Sequence, residues 1–151
     1  MINKFLSIAL IIFVLMQLFS CKDDQIKKSN FPNYLKNTQW FVESEVLLHS
    51  DGEEVYLLSR RTDSATRFNF QAMDFLDDEN FTSYDSWECG NDCFTTVYGR
   101  YIFTGVDQVE MQVDSIGQSG TCQSPTQIFK PSKKVVFDIS KEKTQLKLTR
   151  Q

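Results

Sequence analysis

From residue 38 to residue 150 the apolar side chains recur at every second position in short runs, separated by clusters of Gly, Asp, Asn, Ser and Pro. A two-residue period places one face of an extended strand against a core, whereas a helix needs a recurrence near 3.6. The pattern therefore argues against helical bundles and against folds that alternate strand with helix. Trp40, Val42, Val46 and Leu48 fall on one face with Ser44 between them, Asp51-Gly52 supplies a tight hairpin turn, and Val55, Leu57 and Ser59 return. Phe68, Phe70 and Ala72 alternate next, and Leu76-Asp77-Asp78-Glu79-Asn80 separates them from a short strand over residues 81–84. Beyond residues 89–93, Phe94, Thr96 and Tyr98 alternate, Gly99 marks a bulge, and Tyr101 with Phe103 resumes the pattern. Val109, Met111 and Val113 define a further strand, followed by a loop over residues 116–125 and an edge segment over 127–130 ahead of Pro131. Val135, Phe137 and Ile139 alternate, residues 140–143 turn the chain, and Leu146 with Leu148 closes it. About eight or nine strands, with no helix longer than a turn, predict an all-β domain: an antiparallel up-and-down barrel or a β-sandwich of immunoglobulin-like or jelly-roll type. Closure favours the barrel, because it removes exposed strand edges.

The 151 residues divide into a signal peptide over 1–20, a flexible tether over 21–33 and the β domain over 34–151. Lys4 makes a short basic start, and residues 5–19 are apolar except for Ser7 and Gln17. As a helix that run spans about 22 Å, short of the roughly 30 Å hydrocarbon core of a bilayer. Leu18-Phe19-Ser20-Cys21 resembles the lipobox of bacterial lipoproteins. The resemblance implies transfer of a diacylglyceryl group to the Cys21 thiol, cleavage before it, and an acylated mature N-terminus. Two or more acyl chains make such an anchor durable. An ordinary cleaved signal and an uncleaved helix are the alternatives. Lys22-Asp23-Asp24 resembles the export signal of surface lipoproteins in the Bacteroidota, which implies an outer-membrane protein displayed at the cell surface; a solvated spacer facing the periplasm is the alternative.

Leu35-Lys36-Asn37-Thr38-Gln39-Trp40 opening the strands, and Thr144-Gln145-Leu146-Lys147-Leu148-Thr149-Arg150 ending them, is similar to the lipocalin-like domain of small bacterial lipoproteins. That resemblance implies a barrel in which a basic residue late in the chain, here Arg150, packs over Trp40.

Sixteen Lys and Arg stand against 20 Asp and Glu, and removing Lys4 with the signal leaves 15 − 20 = −5. Nucleic acid needs a basic face, so it is excluded as a partner. His49 is the only imidazole, no phosphate-binding glycine loop occurs, and the pairing of nucleophile with base goes unfilled, so catalysis is not expected. Cys89, Cys93 and Cys122 with His49 make a Cys3His count, but an oxidising compartment competes for those thiols. Asp74, Asp77, Asp78, Glu79 and Asn80 lack the spacing of a calcium loop. No metal and no cofactor are therefore expected.

Three thiols outside the cytoplasm predict one disulfide. Joining Cys89 to Cys93 contributes roughly 2 kcal/mol, whereas joining either to Cys122 closes about thirty residues and contributes about 3.6 kcal/mol in the chain-entropy model. The longer loop, Cys93 or Cys89 with Cys122, is favoured. The remaining expectation is binding. In one reading Trp40, Phe68, Phe70, Tyr98, Tyr101 and Phe103 line a barrel that holds a small apolar or amphipathic ligand. In the other the barrel is filled, and loops 86–93 and 116–125, with Tyr84 and Trp87 at their rim, meet a protein or glycan at the surface.

Overall fold

The period-two runs pair edge to edge until no free edge is left. The computed structural model describes residues 29–43, 45, 46, 48, 54–61, 69–88, 92–122 and 124–151. They form eight strands: β1 (Thr38–Val42), β2 (Val55–Arg60), β3 (Phe70–Phe75), β4 (Asn80–Ser86), β5 (Cys93–Gly105), β6 (Gln108–Gly120), β7 (Gln127–Glu142) and β8 (Gln145–Arg150). These strands make a closed antiparallel up-and-down barrel, consistent with a lipocalin-like barrel, in the order β1-β2-β8-β7-β6-β5-β4-β3. Cys21, Lys22, Asp23, Asp24, His49, Asp51-Gly52, Phe68 and Cys89 lie outside the described residues.

The antiparallel registers define two ends. The base gathers the start of β1 and the turns after β3, β5 and β7; the mouth gathers the ends of β1, β6 and β8. Residues 29–37 close the base. Asn33 Oδ1 accepts the amides of Leu35 and Lys36 to make one turn, and this turn drives Leu35 into the barrel, where it is fully buried. Ser29 Oγ donates to the Phe103 carbonyl, so the ordered domain reaches at least to Ser29, ahead of the boundary expected at residue 34.

Inside, β1, β6, β7 and β8 show the faces expected from the sequence: Trp40, Val42, Val109, Met111, Val113, Phe137, Ile139, Leu146 and Leu148 are buried. Two strands and the first half of a third have the opposite phase. On β2 the inward residues are Tyr56 and Leu58, while Val55 and Leu57 face out. On β3 Met73 and Phe75 pair with the inward face of β1, which turns Phe70 and Ala72 outward. On β5 Thr95, Val97, Gly99, Tyr101 and Phe103 form one unbroken inward row, with Tyr98 opposite to it. Both faces of these strands are rich in apolar residues, so the period sets the spacing but not the side.

The bulge expected at Gly99 belongs to β6. Tyr98 pairs with Ser115 and Gly99 with Val113, so Asp114 is the extra residue, and the inward row of β6 changes phase there to reach Ile116. Gly99 is required for a different reason: a Cβ at that position would collide with the Gln112 carbonyl oxygen and the Phe81 ring. Gly99→Ala is expected to lower stability by about 2–3 kcal/mol, read as a lower urea midpoint with the slope unchanged. Next to Asp114, Val113 pairs with Lys133 but Ser115 pairs with Ile128, so residues 129–132 form an excursion of β7 that contains the cis Lys130-Pro131 bond. Residues 127–130 are thus the start of β7 rather than a separate edge, and β6 takes up half of the loop expected over 116–125.

Cys93 and Cys122 form the disulfide, with Cα atoms 5.0 Å apart, one of the two long-loop pairings expected.

Candidate functional site

The base half of the barrel is packed by its own side chains. Phe75 and Tyr101 meet edge to face at 4.8 Å, Tyr101 and Phe103 at 6.5 Å, and Tyr34 from the closing segment meets Phe103 at 4.8 Å. Trp40 joins this core with its Nε1 donating to Thr38 Oγ1 at 2.7 Å. Phe68 lies outside the described residues, and the other five side chains expected to line a ligand cavity are divided between the core and the outer wall. Trp40, Tyr101 and Phe103 are base core; Phe70 stacks on the outer surface against Phe41 at 5.3 Å and Tyr84 at 6.3 Å; Tyr98 is 48% exposed on the outer face of β5. The cation over Trp40 is Arg60, at 5.0 Å, not Arg150. The register explains the exchange, because Arg60 is the direct β2 partner of Trp40 at the base, whereas Arg150 ends β8 at the mouth.

At the mouth the wall is uneven. β8 stops at Arg150, level with Phe137, while β7 continues upward through Val135 and Lys133. The notch left beside β7 is a pocket of about 300 Å³, lined by Leu48, Val113, Val135, Lys133, Lys134 and Arg150. Its floor is aliphatic, because Val113 and Leu48 belong to the core and Val135 packs against it. Its rim is cationic. Lys133 and Arg150 lie on the inward-facing registers of their strands, since Lys133 pairs with Val113 and Arg150 with Phe137. Lys133 Nζ rests 4.6 Å from the Phe129 ring centre, and Lys134 pairs with Glu110 at 3.5 Å. Below the floor, Tyr56 and Phe137 meet edge to face at 5.9 Å and close the way down. An aliphatic floor under two cations suits a small amphipathic anion, whose apolar part fills the notch while its charge stays at the wet rim.

Two polar clusters decorate the outer wall. Arg100 grips Asp114 with Nε at 2.9 Å and Nη2 at 2.8 Å, and Ser132 Oγ donates to the same carboxylate, pinning both irregularities of β6 and β7. Burial works against the charged form of Asp114, but the hydrogen bonds from Arg100 and Ser132 outweigh it and hold the carboxyl below its ordinary range. A groove of about 460 Å³ runs alongside, under Ile128, Phe129 and Pro131. Across β1, β3 and β4, Arg61 Nη1 from just past the end of β2 donates to Tyr84 Oη at 2.9 Å, and Asp74 Oδ2 receives Tyr84, Gln39 and, at 3.5 Å, Arg61. Tyr84 is thereby part of this network rather than a free rim residue, and Trp87 is half-buried.

The acidic run at the base is likewise committed to the fold. Asp77 caps its own turn through the amides of Glu79 and Asn80, and Asp78 pairs with Lys36 at 2.6 Å. Among the described residues no three His, Cys, Asp or Glu side chains converge on a metal position. No helix among them is long and apolar enough to cross a membrane. The mouth pocket could have been sought in the sequence from the excess of Lys and Arg after residue 127, but nothing in periodicity says that Lys133 and Arg150 meet. No protein-family model, curated protein or solved structure matches this chain.

Proposed function

We propose that this chain is a non-catalytic binding protein, held at the bacterial outer-membrane surface by acyl chains on Cys21, whose barrel mouth takes a small amphipathic anion. One observation carries the ligand reading: Lys133 and Arg150 stand over the aliphatic floor made by Leu48, Val113 and Val135. The site moves from the aromatic lining expected along the barrel axis to the notch where β8 ends, and the ligand class narrows from apolar or amphipathic to amphipathic and anionic. A volume near 300 Å³ lies at the lower end of small-molecule sites. A second reading, contact with a protein or glycan through the mouth loops, is supported by the Cys93–Cys122 bond, which ties residues on both sides of the β5–β6 hairpin into one rigid edge.

Titration with 8-anilinonaphthalene-1-sulfonate, an aromatic sulfonate, separates the two. One saturable site is expected, weakened by salt and weakened at least about ten-fold in Lys133→Glu/Arg150→Glu. Undiminished binding by that variant would overturn the mouth site and leave the loops as the working surface.

A further inference from the structure

The base of the barrel carries an apolar surface that the ligand site does not use. Three of the exposed large hydrophobic residues gather there: Val106 at 64%, Leu76 at 52% and Phe31 at 38% exposure. Leu76 stands in the β3–β4 turn and Val106 in the β5–β6 turn, on neighbouring hairpins joined by the β4–β5 ladder. Phe31 belongs to the segment that crosses from one hairpin to the other. Ser29 fixes one side of it to the Phe103 carbonyl at 2.7 Å, and Asn33 fixes the other to the Asp78 carbonyl at 3.1 Å and the Tyr101 hydroxyl at 2.9 Å. Apolar side chains at turn tips serve no core, and turns are ordinarily polar.

The chain itself names the occupant. Residues 5–19 and Cys21 precede Ser29, and Ser29 is held at the base. The eight residue steps from Cys21 to Ser29 reach at most about 29 Å even when fully extended. Whatever fixes the N-terminus in a membrane therefore tethers the chain by its base and keeps that end within about 29 Å of the membrane. Two ion pairs stand around the apolar tips, Lys36 with Asp78 at 2.6 Å and Lys141 with Asp107 at 3.9 Å, while Asp77 and Glu79 beside Leu76 keep the turn slightly acidic. Such a surface suits a zwitterionic lipid interface, where apolar contact rather than net charge drives adsorption.

We propose that the base docks on the lipid bilayer, with Phe31, Leu76 and Val106 entering the interface, so that the mouth pocket faces away from the membrane. The proposal rests on the membrane-anchor reading. The test uses the full chain, processed in cells and reconstituted in phosphatidylethanolamine/phosphatidylcholine vesicles whose acyl chains are brominated. Tryptophan reporters are Leu76→Trp and Val106→Trp at the base and Ser124→Trp at the mouth; Trp40 and Trp87 form a background common to all three. Bromine is expected to quench the added emission at 76 and 106 at least about two-fold and to leave that at 124 unchanged. Co-flotation with the vesicles without quenching at 76 and 106 overturns the docking and turns these tips over to a second copy or another protein. Quenching of all three reporters alike overturns the orientation. Failure to co-float, with labelled fatty acid absent or retained equally in Cys21→Ala, overturns the anchor and the docking with it.

Discussion

Replacing Cys93 and Cys122 by serine is expected to lower the unfolding free energy by about 3.6 kcal/mol and the thermal midpoint by roughly 14 °C, at about 4 °C per kcal/mol for a domain of this size. The figure follows from a sequence separation of 29, which closes a loop of about thirty residues in the unfolded chain. That loop is the whole β5–β6 hairpin, the longest ladder in the barrel, and the bond joins its open ends at the mouth. Among the described residues, the backbone links at that end include the pairing of Cys93 with Gly120 and the Thr121 amide donating to the Asp92 carbonyl at 3.2 Å. Fraying should therefore begin there, with faster hydrogen exchange at Thr121 than at Met111 in the middle of β6. Dithiothreitol should reproduce the loss in the unaltered protein. A thermal midpoint that neither reduction nor substitution moves would show that the bond is not formed in solution.

How much of this was legible in the sequence depends on what each strand packs against. β6, β7 and β8 could be read at the apolar inward positions of their base halves, Val109, Met111 and Val113, Phe137 and Ile139, Leu146 and Leu148, because the outward positions between them include Glu110, Asp138 and Lys147. β2, β3 and the first half of β5 could be located but not oriented. Phe70 and Tyr98 lie outside the barrel, and Phe70 there packs with Phe41 and Tyr84, so aromatic content could not separate inside from outside. The step at Asp114 is a property of pairing, and no single strand encodes it: only when β5 lies beside β6 does Tyr98 meet Ser115 while Gly99 meets Val113. The exchange of Arg150 for Arg60 over Trp40 has the same origin, since nearness along the barrel wall follows from register. Chain entropy chose the long disulfide loop correctly, because loop length can be counted without a fold. The mouth pocket was illegible, because it exists only where a strand of 6 residues ends beside one of 16.

Tyr101→Ala is expected to cost about 4 kcal/mol, in the range for emptying an aromatic site in a packed core. The ring is 1% exposed and is the middle member of the Phe75–Tyr101–Phe103 stack, so its removal leaves neighbours on both sides without contact. The hydroxyl has a separate task. It donates to the Asp77 carbonyl at 2.5 Å and accepts from Asn33 Nδ2 at 2.9 Å, fastening the segment that closes the base. Tyr101→Phe keeps the packing and loses that fastening, for about 1–2 kcal/mol, and should speed hydrogen exchange at Leu35 and Lys36. Burial first, and the negative charges of Asp77 and Asp78 after it, push this hydroxyl up to about 12 against the opposing hydrogen bond from Asn33; burial and Asp107 do the same to Tyr34. A phenol whose pKa is raised on folding favours the folded state in its neutral form. That contribution is complete below the ordinary value near 10 and is lost as the pH climbs from there through about 12. Tyr101→Phe should accordingly flatten the alkaline fall in stability between those limits while leaving the acid side unchanged. The same variants distinguish a packed base from a ligand chamber. If the base is core, Tyr101→Ala lowers the urea midpoint while the folded fraction binds 8-anilinonaphthalene-1-sulfonate at the mouth with unchanged affinity. If binding at full folding falls with the truncation, the ligand reaches past Tyr56 and Phe137 and the site is the barrel axis after all.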